Sequence, residues 1–222
     1  MNETLFFLHI CLIIGFVFLA CKLGKESLIA CFSVQIILSN LFITKQMLCF
    51  GLHVTCTDVY TIGALFSLNL LQEYFGKKCA NQTIWATFFV LLFCTVMSKI
   101  HLNYHPSQYD STDTAFKTIL CNTPRIMTAS FFVTLLTQKL DVELFAFLKR
   151  KFLKQALFWR FGGSALVTQF LDTLLFSIIA LHGLVHNVGS IILMSYFIKI
   201  LVILCLSLFT IWVKKLIPHE PI

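Results

Sequence analysis

The chain has 222 residues, of which 58% are hydrophobic and 12% charged, and it carries a net charge of +7. Its mean hydropathy is +0.87. A soluble domain carries about 25% charged residues, so the composition excludes an ordinary soluble domain and places residues 1–222 in the bilayer as one integral membrane domain. The positive excess has no basic stripe with interleaved aromatics beside it, so it reads as a topology signal and not as a nucleic-acid surface.

Apolar runs long enough to span lie at about 5–21, 28–48, 59–75, 84–100, 124–146, 161–183 and 188–213, against a need of roughly 20 residues each. They predict an all-α polytopic helical bundle of six to seven transmembrane helices, six if the first run is removed or lies in the interface. That run lacks the positive flank of a signal peptide and carries Glu3 instead. Residues 1–27 therefore read as an extra N-terminal helix and loop, retained ahead of two three-helix halves at 28–100 and 124–213. Gly76 is expected to end the third run. The polar stretch around "HPSQYDSTDT" in 101–123 reads as a connector.

Basic residues alternate between loops. Lys22, Lys25, Lys77, Lys78, Lys149, Arg150, Lys151, Lys154, Arg160, Lys214 and Lys215 fall on one side, against Lys45, Lys99 and Lys117 on the other. The positive-inside rule then puts the N-terminus outside and the C-terminus in the cytoplasm of a multi-pass inner-membrane protein. The nine cysteines form no CxxC and no His/Cys cluster with metal-ligand spacing, so neither a metal nor a cofactor is expected. Cys49, Cys56 and Cys121 fall near predicted outer loops, where one disulfide has room.

The stretch "TQKLDVELF" at 137–145 returns as "TQFLDTLLF" at 168–176, with six of nine positions identical. An unpaired aspartate at a helix centre costs about 2.5–3.5 kcal/mol on insertion scales, so Asp141 and Asp172 need a reason. In the two copies Gln138 and Asp141, and Gln169 and Asp172, are three apart and share a face, on which Phe145 and Phe176, four beyond each Asp, also lie. Consecutive spans run in opposite directions, so the copies are inverted, which suggests a 3+3 inverted repeat of the kind transporters use.

Lys199, mid-span in the last segment, is the expected partner of Asp172 at similar depth. Asp141 is expected about three turns nearer the cytoplasm. In "SLNLLQEYFGKK", Asn69, Gln72 and Glu73 add polar groups on shared faces, though Glu73 also reads as an interfacial charge one turn from Lys77. Lys139 and Glu143 are expected to pair with each other, away from the site. Arg125 is a gate or a helix anchor, and Asn40 is a further candidate at the end of the second span.

The segments "SNLFITK" (39–45), "NLLQEYFGKK" (69–78), "PRIMTASFFVTLLTQKLDVELFAFLK" (124–149), "QFLDTLLFSIIALHG" (169–183) and "YFIK" (196–199) resemble the queuosine precursor transporter family, formerly described as vitamin uptake transporters. Many relatives carry Asp where Asn69 stands, and the N-terminal span is not part of the six-helix core associated with the family. The resemblance implies import of queuine or a related 7-deazaguanine base for tRNA modification, with no direct nucleic-acid contact and no enzymatic role. Such a base presents two adjacent donors that a carboxylate accepts, and Asp172 or Glu73 would suit. Gln138, Gln169 or Asn69 would meet its other polar atoms, and Phe145 or Phe176 would stack on the ring.

A secondary transporter is the expected mode. The alternative is a substrate-binding membrane subunit for a vitamin-like molecule working with a separate ATPase module, because the chain has no Walker motif of its own. A homo-oligomer and an ATPase partner both stay open. No rhomboid-like GxSG or GxGD supports an intramembrane protease.

Overall fold

The computed structural model describes residues 2–43, 45, 47–49, 52–54, 57–120, 124–151, 157–181 and 188–216. Its elements are α1 (Asn2–Leu23), α2 (Lys25–Leu41), a hairpin of β1 (Met47–Cys49) and β2 (Leu52–Val54), α3 (Asp58–Leu102), α4 (Asp113–Leu120), α5 (Pro124–Lys151), α6 (Leu157–Phe176) with a π-helical turn at Ser177–Leu181, and α7 (Val188–Leu216). The all-α bundle stands. The antiparallel hairpin, paired Met47 to Val54 and Cys49 to Leu52, departs from it: α2 ends at Leu41, and the rest of the apolar run read as 28–48 enters a strand. A short apolar run does not by itself distinguish helix from strand. Cys56 and Cys121 lie outside the described residues.

Helix α3 has 45 residues, about 68 Å if straight, more than twice the hydrocarbon thickness of roughly 30 Å. It is not straight. Gly76 sits at φ 84°, ψ 162°, a conformation that L side chains rarely adopt. Gln35 of α2 donates to Ser67 Oγ at 3.2 Å, and Ser33 Oγ lies 2.6 Å from Thr87 Oγ1. Ser67 and Thr87 would be about 30 Å apart on a straight helix, yet they reach Gln35 and Ser33 of α2, which are two residues apart. The chain therefore folds back at Gly76, and α3 is two arms, as the separate runs at 59–75 and 84–100 predicted. At the other close approach, a Cβ on Gly63 would collide with Gln35 and Ile13.

The first arm of α3 is the buried spine. Ile62, Leu65, Phe66, Leu70 and Leu71 pack with α1 (Ile10, Ile14, Val17), with Phe145 and Phe161, and with Ile198, Val202 and Ile203 of α7. A second cluster joins Phe32 and Ile36 of α2 to Ala64, Leu68, Ala80, Ile84 and Val142. Large apolar side chains also point outward, among them Phe16, Phe89, Phe132, Phe197 and Leu208. Ser67, Asn69, Asp141, Arg160 and Thr168 are buried instead. Apolar outside with polar side chains packed inside suits lipid as the surrounding solvent.

By length and composition, three helices among the described residues qualify as spans: Asn2–Leu23, Asp58–Leu102 and Leu157–Ile179. Helix α2 has only 17 residues, and α5 carries Arg125, Lys139, Asp141 and Glu143. In the connector after α3, Asp110 accepts from the hydroxyl and the N–H of Thr112, both at 2.7 Å. Those bonds hold its carboxyl below the usual range.

Candidate functional site

Helices α5 and α6 pack antiparallel, and the repeated motif fixes their register. Thr137 Oγ1 lies 3.4 Å from Asp172 Oδ1, and Thr168 Oγ1 lies 3.2 Å from Asp141 Oδ1. Each copy's threonine thus faces the other copy's aspartate, so the two copies stand side by side about a local two-fold. Each threonine is also 2.9 Å from its own i−4 carbonyl, Val133 or Ser164, and 3.3 or 3.4 Å from its i−3 carbonyl, Thr134 or Ala165, so its one hydroxyl proton has three acceptors in reach. Four residues separate Thr168 from Asp172, so the two carboxylates are about 6 Å apart along the helices. That is one turn, not the three expected. Helix α5 runs on to Lys151 instead of stopping near 146, which sets Asp141 deeper in the bundle.

Around Asp172 the groups are charged. Lys199 Nζ of α7 donates to Asp172 Oδ2 at 2.7 Å, as the sequence predicted, and lies 3.8 Å from Asp58 Oδ1. Ser195 Oγ is 3.4 Å from Asp58 Oδ2. Asp58 was missed, because reading the third span as an apolar run trims off the charged residue that starts it. Its sharing of Lys199 is visible only once α3 and α7 are side by side. One ammonium between two carboxylates ties α3, α6 and α7 together.

Around Asp141 the groups are neutral. This carboxylate is fully buried. Asn69, Ser164 and Thr168 face it, yet Asp141 Oδ2 and both amide atoms of Asn69 have no hydrogen-bond partner among the described residues. One turn along α3, Gln72 donates to Val142 O at 2.8 Å and leaves its own Oε1 unpartnered. Asn69 and Gln72 thus share the face that the sequence assigned them. Gln169 is buried with Oε1 also unpartnered.

Beyond this neutral layer comes a second ion network. Arg160 Nη1 donates to both oxygens of Glu73, at 3.0 and 2.8 Å. Lys149 Nζ lies 3.3 Å from Glu73 Oε2 and donates to the Glu73 carbonyl at 3.2 Å. That carbonyl sits in the last turn before the Gly76 break, where helical carbonyls lose their partners. Glu73 is therefore a buried, paired residue and not an interfacial charge beside Lys77. Lys77 instead bridges to Glu143 at 2.6 Å, and Lys139 stands 4.4 Å over the Trp85 ring, so Lys139 and Glu143 do not pair with each other. Arg160 was missed as a partner because it was counted among the loop cations; α6 begins at Leu157 and takes it into the bundle.

The remaining candidates lie apart. Gln138 lines a small, partly open groove between α2, the second arm of α3 and α5, with Ile36, Thr87, Phe88 and Phe131. Asn40 donates to Ile36 O of its own helix at 2.9 Å. Phe145 is in the apolar core and Phe176 is half-buried. The side chain of Arg125 lies outside the described residues.

Residues 47–213 match the model of a family described as "Putative vitamin uptake transporter". The chain belongs to this family. It is also 30% identical over 204 residues to a "Probable queuosine precursor transporter" of Bacillus subtilis (strain 168), covering 89% of this chain and 87% of that protein. No solved structure matches. The family is one of transporters, not enzymes, and membership makes this chain a membrane transporter acting on a small molecule. The matched region contains every candidate site residue except Asn40.

Proposed function

We propose that this transporter imports a queuosine precursor, queuine or a related 7-deazaguanine base, for tRNA modification. It works as a secondary transporter in the inner membrane, with the N-terminus outside and the C-terminus in the cytoplasm. The observation that carries this reading is the neutral layer: buried amide and carboxyl atoms of Asn69, Gln72 and Asp141 without partners among the described residues, in a bundle whose exterior is apolar. A buried polar atom left without a hydrogen bond costs about 1–3 kcal/mol. Several such atoms gathered between α3, α5 and α6 suit a site completed by a polar ligand, and a flat base with donors and acceptors along one edge supplies both kinds of partner. The name of the Bacillus relative supports the substrate class, and the bias of Lys and Arg between alternate loops supports the orientation.

The test is uptake of labelled queuine and its 7-cyano and 7-aminomethyl precursors in cells that cannot synthesise them, with tRNA modification as the readout. At least one base should restore modification when this chain is expressed. Modification no higher than in empty-vector cells for all three bases would remove the substrate assignment.

A further inference from the structure

The two motif copies begin alike and end differently. In each, the aspartate's Oδ1 faces the threonine of the other copy, at 3.4 Å for Asp172 and 3.2 Å for Asp141. The Oδ2 of Asp172 holds the Lys199 ammonium at 2.7 Å. The Oδ2 of Asp141, a residue with no exposed surface, has no hydrogen-bond partner among the described residues, although Ser164 and Asn69 stand close to the carboxylate. Among the described residues the buried cations are already engaged. Arg160 and Lys149 are on Glu73, and Lys199 is on Asp172 and Asp58. From α3 the group facing Asp141 is Asn69, 1% exposed and, among the described residues, without a hydrogen-bond partner at either amide atom, and from α6 the groups are Ser164 and Thr168.

We infer that a ligand's N–H donors take at Asp141 the place that the Lys199 ammonium takes at Asp172. The ligand edge is a ring N–H with an adjacent exocyclic amino group, and Asn69 reads the neighbouring carbonyl oxygen through its amide N–H. Asp172 and Glu73, the carboxylates that the family resemblance offered for this task, are set aside because each already holds a cation. The inference rests on the proposed transport of a 7-deazaguanine base and adds which carboxylate reads it. Asp141 is buried where α3, α5 and α6 meet, so entry requires these helices to part, as alternating access demands.

The test is competition against uptake of a labelled 7-deazaguanine base, comparing the parent base with its analogue lacking the exocyclic amino group. In the unmodified protein the analogue should compete at least about tenfold more weakly, because a site built to accept that donor is left unpaired. Asp141→Asn should shrink the gap to within about threefold, while Asp141→Glu keeps part of it and Asp172→Asn keeps it in whatever transport remains. If Asp141→Asn does not reach the membrane, Asn69→Ala carries the test: it should erase discrimination against an analogue lacking the ring carbonyl. An unmodified protein indifferent to the amino group, or a gap erased by Asp172→Asn and kept by Asp141→Asn, overturns the inference and leaves the transporter reading intact. Failure of the unmodified protein to take up any 7-deazaguanine base overturns both.

Discussion

Lys199 is the residue on which most charge depends, since it stands between Asp172 and Asp58 at 2.7 and 3.8 Å with 5% of its side chain exposed. Removing one partner of a buried ion pair is costly because it strands the other charge, typically by about 3–5 kcal/mol. Lys199→Met strands two carboxylates. Asp172→Asn leaves the ammonium beside Asp58. Thermal unfolding in detergent should therefore rank the unmodified protein above Asp172→Asn and Asp172→Asn above Lys199→Met. Equal midpoints for the two variants would show that Asp58 contributes nothing to holding Lys199. The Asp172–Lys199 pair was legible in the sequence because both residues are costly in lipid and sit at matched distances from a short turn. Asp58 and Arg160 were not, because each lies near a span end, where one residue of boundary error turns a buried partner into a loop charge.

At the level of elements, the fold-back of α3 is the feature that packs the polar spine. Gly76→Ala puts a Cβ on a backbone at φ 84°, ψ 162°, where it meets no atom within 4 Å. Its cost is purely conformational, about 1–3 kcal/mol. Gly15, inside α1, also has open space around its Cβ position but no positive φ, so Gly15→Ala should be neutral or slightly stabilising. Unfolding midpoints of the two variants check this: Gly76→Ala should fall and Gly15→Ala should not, and equal midpoints would mean that Gly76 is not under conformational demand. The break at Gly76 was readable from a glycine standing between two apolar runs. The β1–β2 hairpin was not, because its residues continue the hydrophobic run of α2 and nothing in period or composition separates them. The motif repeat was readable as a pattern, whereas its reciprocal threonine–aspartate register depended on α5 continuing to Lys151.

Across the whole molecule, polar groups that the sequence suggested would converge on one site separate into layers. A charged layer at Asp58, Asp172 and Lys199 joins α3, α6 and α7, and another at Glu73, Arg160 and Lys149 joins α3, α5 and α6. The neutral layer of Asn69, Gln72 and Asp141 lies along α3 between Asp58 and Glu73. Ion pairs that tie helices together at both ends of a neutral layer suit a carrier that opens one end at a time. The most direct measurement is uptake of a labelled 7-deazaguanine base into proteoliposomes holding this chain alone, with an imposed proton gradient. Saturable accumulation above empty liposomes is expected, reduced but still measurable in Asp141→Asn at equal reconstituted amounts. Uptake no greater than in empty liposomes, or undiminished in Asp141→Asn, would contradict it.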